Sequence, residues 1–175
     1  GTIAGATKSS TSSVIDTLYI TVTHVGPSTP ATPDEIGDEL ADVPANGTLE
    51  KENVNLGTGS VAITDGKTLA ITGDVTGGDS SITGTSGNGK VTLNNAAVGG
   101  TGTLTVTADA VVSGAVSVAS GKTLDLATAT LSGTLSGEGT VTVDNATVAA
   151  SPTLSADSGN VNMDAATVAG TLNVN

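Results

Sequence analysis

His24 is the chain's sole imidazole, so a Ser-His-Asp relay or a histidine general base would have to be built on it. It sits near the end of an apolar run with no nucleophile motif beside it, and it reads as a solvated histidine. Carboxylates are more plentiful: Asp65, Asp74, Asp79, Asp109, Asp125, Glu138, Asp144, Asp157 and Asp164 are spread through the C-terminal two-thirds. Two carboxylates at a suitable separation can act as acid and base in glycoside cleavage. Asp144 and Asp164 hold matching places in "GTVTVDNATVA" (Gly139–Ala149) and "GNVNMDAATVA" (Gly159–Ala169), so of all the acids they are best placed to meet. Sugar-cleaving sites also need Arg, Lys or aromatic platforms, and the chain has no Arg, Trp or Phe. A repeated corner explains the pair more simply, and most of the other acids also read as turn residues.

Two further stretches invite a binding site. "GDSSITGTSGNGK" (Gly78–Lys90) is glycine-rich and ends in Lys, but it lacks the spacing of a phosphate-binding loop. It reads as a loop between strands. Asp34, Glu35, Asp38, Glu39 and Asp42 crowd one short segment, but not at the spacing of a calcium-binding EF-hand loop. They read as a solvated helix face. No enzyme, cofactor or metal centre is expected.

Composition narrows the partners. The net charge is −12, with five Lys and no Arg. Phosphate backbones need clusters of Lys and Arg, so neither nucleic acid nor an anionic membrane surface is an expected partner. No stretch reads as a signal peptide or is long enough to span a bilayer. The absence of Cys removes disulfides and thiolate sites. Asn46 and Asn145 head N-x-T triplets and are candidate glycosylation positions. The protein reads as acidic, and the two triplets are its one sequence sign of secretion.

The elements fall into three regions. In residues 1–25, "VIDTLYITVTHV" alternates β-branched and polar residues. Val14, Leu18, Ile20 and Val22 lie on one face, and Ile15, Tyr19 and Val25 on the other. These seven residues form the strongest isolated strand of the chain. It pairs either within its own domain or as a strand donated to a neighbouring subunit. In residues 26–58, "GPSTPATP" is a connector too rich in Pro for a central strand. Thr32, Pro33 and Glu35 then predict a capping box with Pro at the first helical position. Ile36, Leu40 and Val43 follow at helical spacing, and Pro44 closes a short acidic helix.

Residues 59–175 repeat. "GSVAITDGKTLAITGDVTG" from Gly59 matches "GAVSVASGKTLDLATATLSG" from Gly114, each reading as strand, Gly-Lys-Thr-Leu turn, strand. A second unit recurs as "KVTLNNAAV" (Lys90–Val98), "TVTVDNATV" (Thr140–Val148) and "NVNMDAATV" (Asn160–Val168). In it Val141, Val143 and Val148 all point inward if Asp144–Asn145 turns the chain. Asn and Asp suit the left-handed conformation that such corners often need. With 24 Gly and one aromatic residue, the interior must be a thin column of Val, Leu, Ile and Ala. The expectation is a parallel β-solenoid of about 20 residues per coil and about six coils, with a β-sandwich or jelly roll as the alternative. Thr-x-Thr runs such as "TLTVT" (Thr103–Thr107) would suit ordered water or ice if they repeated at one register. The repeats do not align them, so no such array is expected.

"GKTLDLATATLSGTLSGEGTVTVDNATV" resembles the passenger repeats of autotransporters and filamentous-haemagglutinin-type adhesins, over roughly Gly59–Asn175. The resemblance implies a β-helix displayed outside a bacterial cell. Similar low-complexity segments occur in phage fibres and surface-layer proteins. The acidic helix is a candidate cap for the first coil, whereas "GTLNVN" reads as a strand with no cap after it. An uncapped end, an isolated strand and a Pro-containing connector predict head-to-tail assembly of the chain with copies of itself. The expected role is that of a structural subunit in an extracellular filament or surface appendage. The alternative is an adhesin passenger or fibre segment that presents a binding surface.

Overall fold

The computed structural model describes residues 29–85, 87–149, 152–155, 159–168 and 173–174. The strand predicted from Val14 to Val25 and His24 lie outside the described residues. So does Asp157.

The chain is a parallel β-solenoid of about six turns, and each turn is a triangle of three short strands. The first face is built from β1 (Thr48–Lys51), the first half of β4 (Lys67–Gly77) and of β6 (Gly89–Gly100), β8 (Asp109–Ser113), and the second half of β10 (Lys122–Leu131), β12 (Thr140–Val148) and β14 (Asn160–Val168). The second face stacks β2 (Val54–Gly57), the second halves of β4 and β6, β9 (Ala115–Val118), β11 (Thr134–Gly137), β13 (Thr153–Ser155) and β15 (Asn173–Val174). The third stacks β3 (Ser60–Ala62), β5 (Ser80–Thr83), β7 (Gly102–Val106) and the first halves of β10, β12 and β14. Every ladder is parallel, which rules out the sandwich alternative. The first turn begins at Thr48, ahead of the Gly59 at which the repeats become recognisable.

The interior is a set of columns. On the third face Val61, Ile82, Val106, Leu126, Val143 and Met163 stand one above another, at intervals of 17 to 24 residues. On the first face a column runs Leu49, Leu69, Val91, Ala110, Ala129 and Ala146. The column thus narrows to Ala in the turns that also carry Leu124, Leu126, Leu131 and Leu135. Large and small residues within a turn keep the core filled to a constant cross-section. The predicted inward residues Val141, Val143 and Val148 are all buried.

Asp144–Asn145 is a bend inside a continuous strand: both residues are exposed while the flanking alternation continues. Its echo stacks on it with Thr140 opposite Asn160 and Val148 opposite Val168. The left-handed expectation holds at Asn95 (φ 52°), but neither Asp144 nor Asn145 has a positive φ. The Gly-Lys-Thr-Leu reading also shifts, because Lys67 and Lys122 already belong to strands, and the turns precede them. "GDSSITGTSGNGK" is not simply a loop, because Ser80–Thr83 is β5.

At the N-terminal end, α1 (Pro33–Asp42) covers the first turn. Thr32 accepts from the Glu35 backbone, and the Glu35 carboxylate accepts from the Thr32 N–H at 2.9 Å, completing the capping box. Ile36 and Leu40 are buried in the same core as Val54, Leu56 and Val61. Ala31 bridges Val54 on the edge of β2, and Lys67 Nζ donates to the Leu40 carbonyl at 2.9 Å near the helix C-terminus. Thr32→Ala is expected to destabilise the cap by about 1 kcal/mol, which amide exchange across residues 33–42 would register. The Thr32 backbone N–H and hydroxyl hold the Glu35 carboxyl below its ordinary value. A carboxyl depressed in the fold stabilises above its unfolded value, and the contribution is lost as pH falls through the folded value. Protection of the α1 amides, corrected for the intrinsic pH dependence of exchange, should therefore fall in acid, and Glu35→Gln should remove that component.

Candidate functional site

The acids that could do chemistry are kept apart by the fold. Asp65 and Asp79 lie at corners, as does Glu138, while Asp74, Asp109, Asp125, Asp144 and Asp164 lie in strands. Asp125 contradicts the turn reading, since it sits mid-strand in β10 on the outer surface of the third face, opposite Thr105 and Thr142. Asp144 and Asp164 hold matching places in adjacent layers, between the register pairs Val143–Met163 and Asn145–Ala165. Both are exposed, and neither is in an ion pair among the described residues. Among the described residues no three His, Cys, Asp or Glu side chains converge to hold a metal, and no helix is long and apolar enough to cross a membrane.

The corners use several of these side chains as stitches between turns. Asn53 Oδ1 accepts from the Asp74 N–H at 2.8 Å, Asp79 Oδ1 from Thr103 at 2.8 Å, and Asn95 Oδ1 from Ala115 at 2.9 Å. In each case a side-chain oxygen meets a backbone donor that a corner frees from the regular ladder. Asp109 Oδ2 accepts from the Gly87 N–H at 2.8 Å, while its buried Oδ1 has no partner among the described residues.

Lys122 is the functional position that sequence reading missed. It is buried, and its amine donates to the carbonyls of Gly77 at 3.1 Å, Gly78 at 2.7 Å and Thr101 at 3.2 Å. Those carbonyls belong to the same corner of the two preceding turns, so one side chain spans three layers. Burial holds its amine below the usual lysine value, and the nearby Asp79 pulls it back up. In sequence Lys122 is indistinguishable from Lys67, whose amine reaches α1 instead.

The outer faces carry threonine in register, contrary to the sequence expectation. Thr103 and Thr105, Thr123 and Asp125, Thr140 and Thr142, and Asn160 and Asn162 form stacked rows on the third face. Asp125 breaks one row with a charge. On the first face Thr92, Val111, Thr130, Thr147 and Thr167 make one uncharged column. Of the two sequon residues, Asn46 is exposed at a left-handed corner (φ 60°), and Asn145 is exposed with its amide nitrogen donating to the Ala127 carbonyl at 3.2 Å.

The two ends of the solenoid differ. The first turn is covered by α1, but β14 pairs on one side only among the described residues, with β12. Val161 and Met163 are half-buried where their counterparts Val141 and Val143 are buried. Ala166 is exposed, whereas Ala146 beneath it is buried. Leu49 of β1, a strand that also pairs on one side only among the described residues, is half-buried in the same way. Comparison of the chain with protein-family models, with curated proteins and with solved structures finds no match.

Proposed function

We propose that this chain is a structural subunit of an extracellular filament or surface appendage, assembling head-to-tail with copies of itself through β-strand contacts. The observation that carries the reading is that β14, with half-buried Val161 and Met163, pairs on one side only among the described residues. A sheet edge over half-buried apolar residues invites a further strand, and such an edge filled by another copy gives a heterologous contact that propagates. The absence of any convergent reactive cluster among the described residues fits a role in which the rod itself is the product. Negative-stain microscopy of the full chain over rising concentration tests the reading. Unbranched filaments are expected, and dispersed short rods at every concentration would overturn it.

A second reading, that of an adhesin passenger or fibre segment, draws support from the uncharged threonine column on the first face. It predicts monomeric rods that bind a surface, with binding lost when Thr130 and Thr147 are replaced by Lys.

A further inference from the structure

We propose that a groove on the outer surface of the second face binds a linear aliphatic polyamine. Asp74 and Glu138 hold its cations, and its methylenes lie on a floor of small residues. The proposal is independent of the filament reading, since the groove lies in the middle of the solenoid, away from both ends.

The groove exists because two neighbouring turns present almost no side chain there. Every second residue of a strand points to the outer surface, and across β6 and β9 those residues are Ala97, Gly99, Ser117 and, just past β9, Ala119. The turn below raises Asp74 and Thr76, opposite Ala97 and Gly99. The turn above brings Gly137 over Val118, followed by Glu138 at the corner. Together they enclose a groove of about 510 Å³ whose floor includes Val98 and Val118. Gly99 shows that this space is not imposed by the backbone. Unlike Gly77 and Gly100, it has no left-handed φ, and a Cβ there meets nothing within 4 Å. The fold would accept a side chain at the position, so the glycine leaves open a space that packing does not require.

Charge selects the occupant. Each wall carries one exposed carboxylate, and neither Asp74 nor Glu138 is in an ion pair among the described residues. The net charge of −12 adds a long-range pull on any cation. The floor then distinguishes among cations. It is mostly apolar, so a hydrated metal ion gains nothing from it. The stem of an amine can lie along it with the charged ends in water, as lysine side chains do on apolar surfaces. The wall strands β4 and β11 are three strand spacings apart through β6 and β9, about 14 Å. One chain with a cation towards each end crosses that gap diagonally, from Asp74 to Glu138. A single ammonium on a short stem reaches one wall only.

Calorimetric titration of the full chain with spermidine tests this, with magnesium and n-butylamine as comparison ligands. It is run at physiological ionic strength, where attraction between distant charges is screened. One spermidine per chain should bind, more tightly than either comparison ligand. Asp74→Asn with Glu138→Gln should weaken it about tenfold. Asp144→Asn with Asp164→Asn removes the same charge elsewhere on the surface and should leave binding unchanged. Gly99→Val keeps the charge and fills the floor, so it should weaken spermidine as the acid variant does, with wild-type circular dichroism. If Gly99→Val folds poorly, the two double variants decide between a site and diffuse attraction. Equal losses from the two double variants, magnesium binding as tightly as spermidine, or undiminished binding by a folded Gly99→Val would each overturn the proposal. They would leave only a general attraction of cations to an acidic rod, with the filament reading unaffected.

Discussion

Gly100→Ala is expected to destabilise the solenoid by about 3 kcal/mol, from left-handed strain and overpacking together. The same substitution one residue earlier, Gly99→Ala, should leave stability unchanged or slightly raised. Gly100 closes β6 at a corner with φ 96°, directly opposite Gly77. A Cβ there would stand 2.2 Å from the Gly77 carbonyl oxygen. That oxygen is backbone, in a column where Gly57, Gly77 and Gly100 stack in register, so it cannot swing aside like the end of a side chain. The corner must open, and the accompanying strain falls on the ladders of two turns. At Gly99 a Cβ meets nothing within 4 Å, and its φ is not in the left-handed region. There the substitution acts mainly by restricting the unfolded chain. Urea unfolding of the two variants in parallel checks the pair. Equal losses would mean that glycine is kept in this stretch for something other than the corner's geometry.

That contrast marks how far the sequence could be read. Apolar alternation identified the buried Val141, Val143 and Val148, and the adjacent echoes at Thr140–Val148 and Asn160–Val168 proved to be stacked layers. The capping box was legible because its interactions are local. What the motifs do not encode is the face on which they fall. Val91 of "KVTLNNAAV" lies on the first face of the third turn, and Val141 of "TVTVDNATV" on the third face of the fifth. Val61 and Val116, from the other repeated unit, are separated in the same way. From Val91 to Val141, and from Val61 to Val116, is eight faces along the coil, or two and two-thirds turns. The three faces have similar strands and similar corners, so one sequence unit serves at any of them. Residues that align in sequence then have different neighbours above and below. This is why the threonine rows, which are in register in space, look unaligned along the chain, and why Asp125 was misplaced at a turn.

Lys122 is the sharpest case of that ambiguity, and Lys122→Met is expected to cost about 2 kcal/mol. Met keeps most of the aliphatic stem, so the core loses little packing. It removes the ammonium donor to the carbonyls of Gly77, Gly78 and Thr101, of which Gly78 keeps the Ser80 hydroxyl at 3.3 Å. Losing the three hydrogen bonds of the ammonium would cost about 3 kcal/mol on its own, and relief from burying that charge returns part of it. Lys67→Met should cost less, because that amine makes one backbone hydrogen bond, to Leu40, and its 3.8 Å pairing is with the exposed Asp65, which contributes little. Chemical denaturation of the two variants orders them. The pH dependence separates the charge from the hydrogen bonds. The folded Lys122 amine lies below its unfolded value, so the unfolded chain binds more protons between the two. Wild type should therefore gain stability relative to Lys122→Met as pH rises through the folded value towards the usual lysine value. A gap that stays constant through that range would mean the amine is not desolvated at this corner.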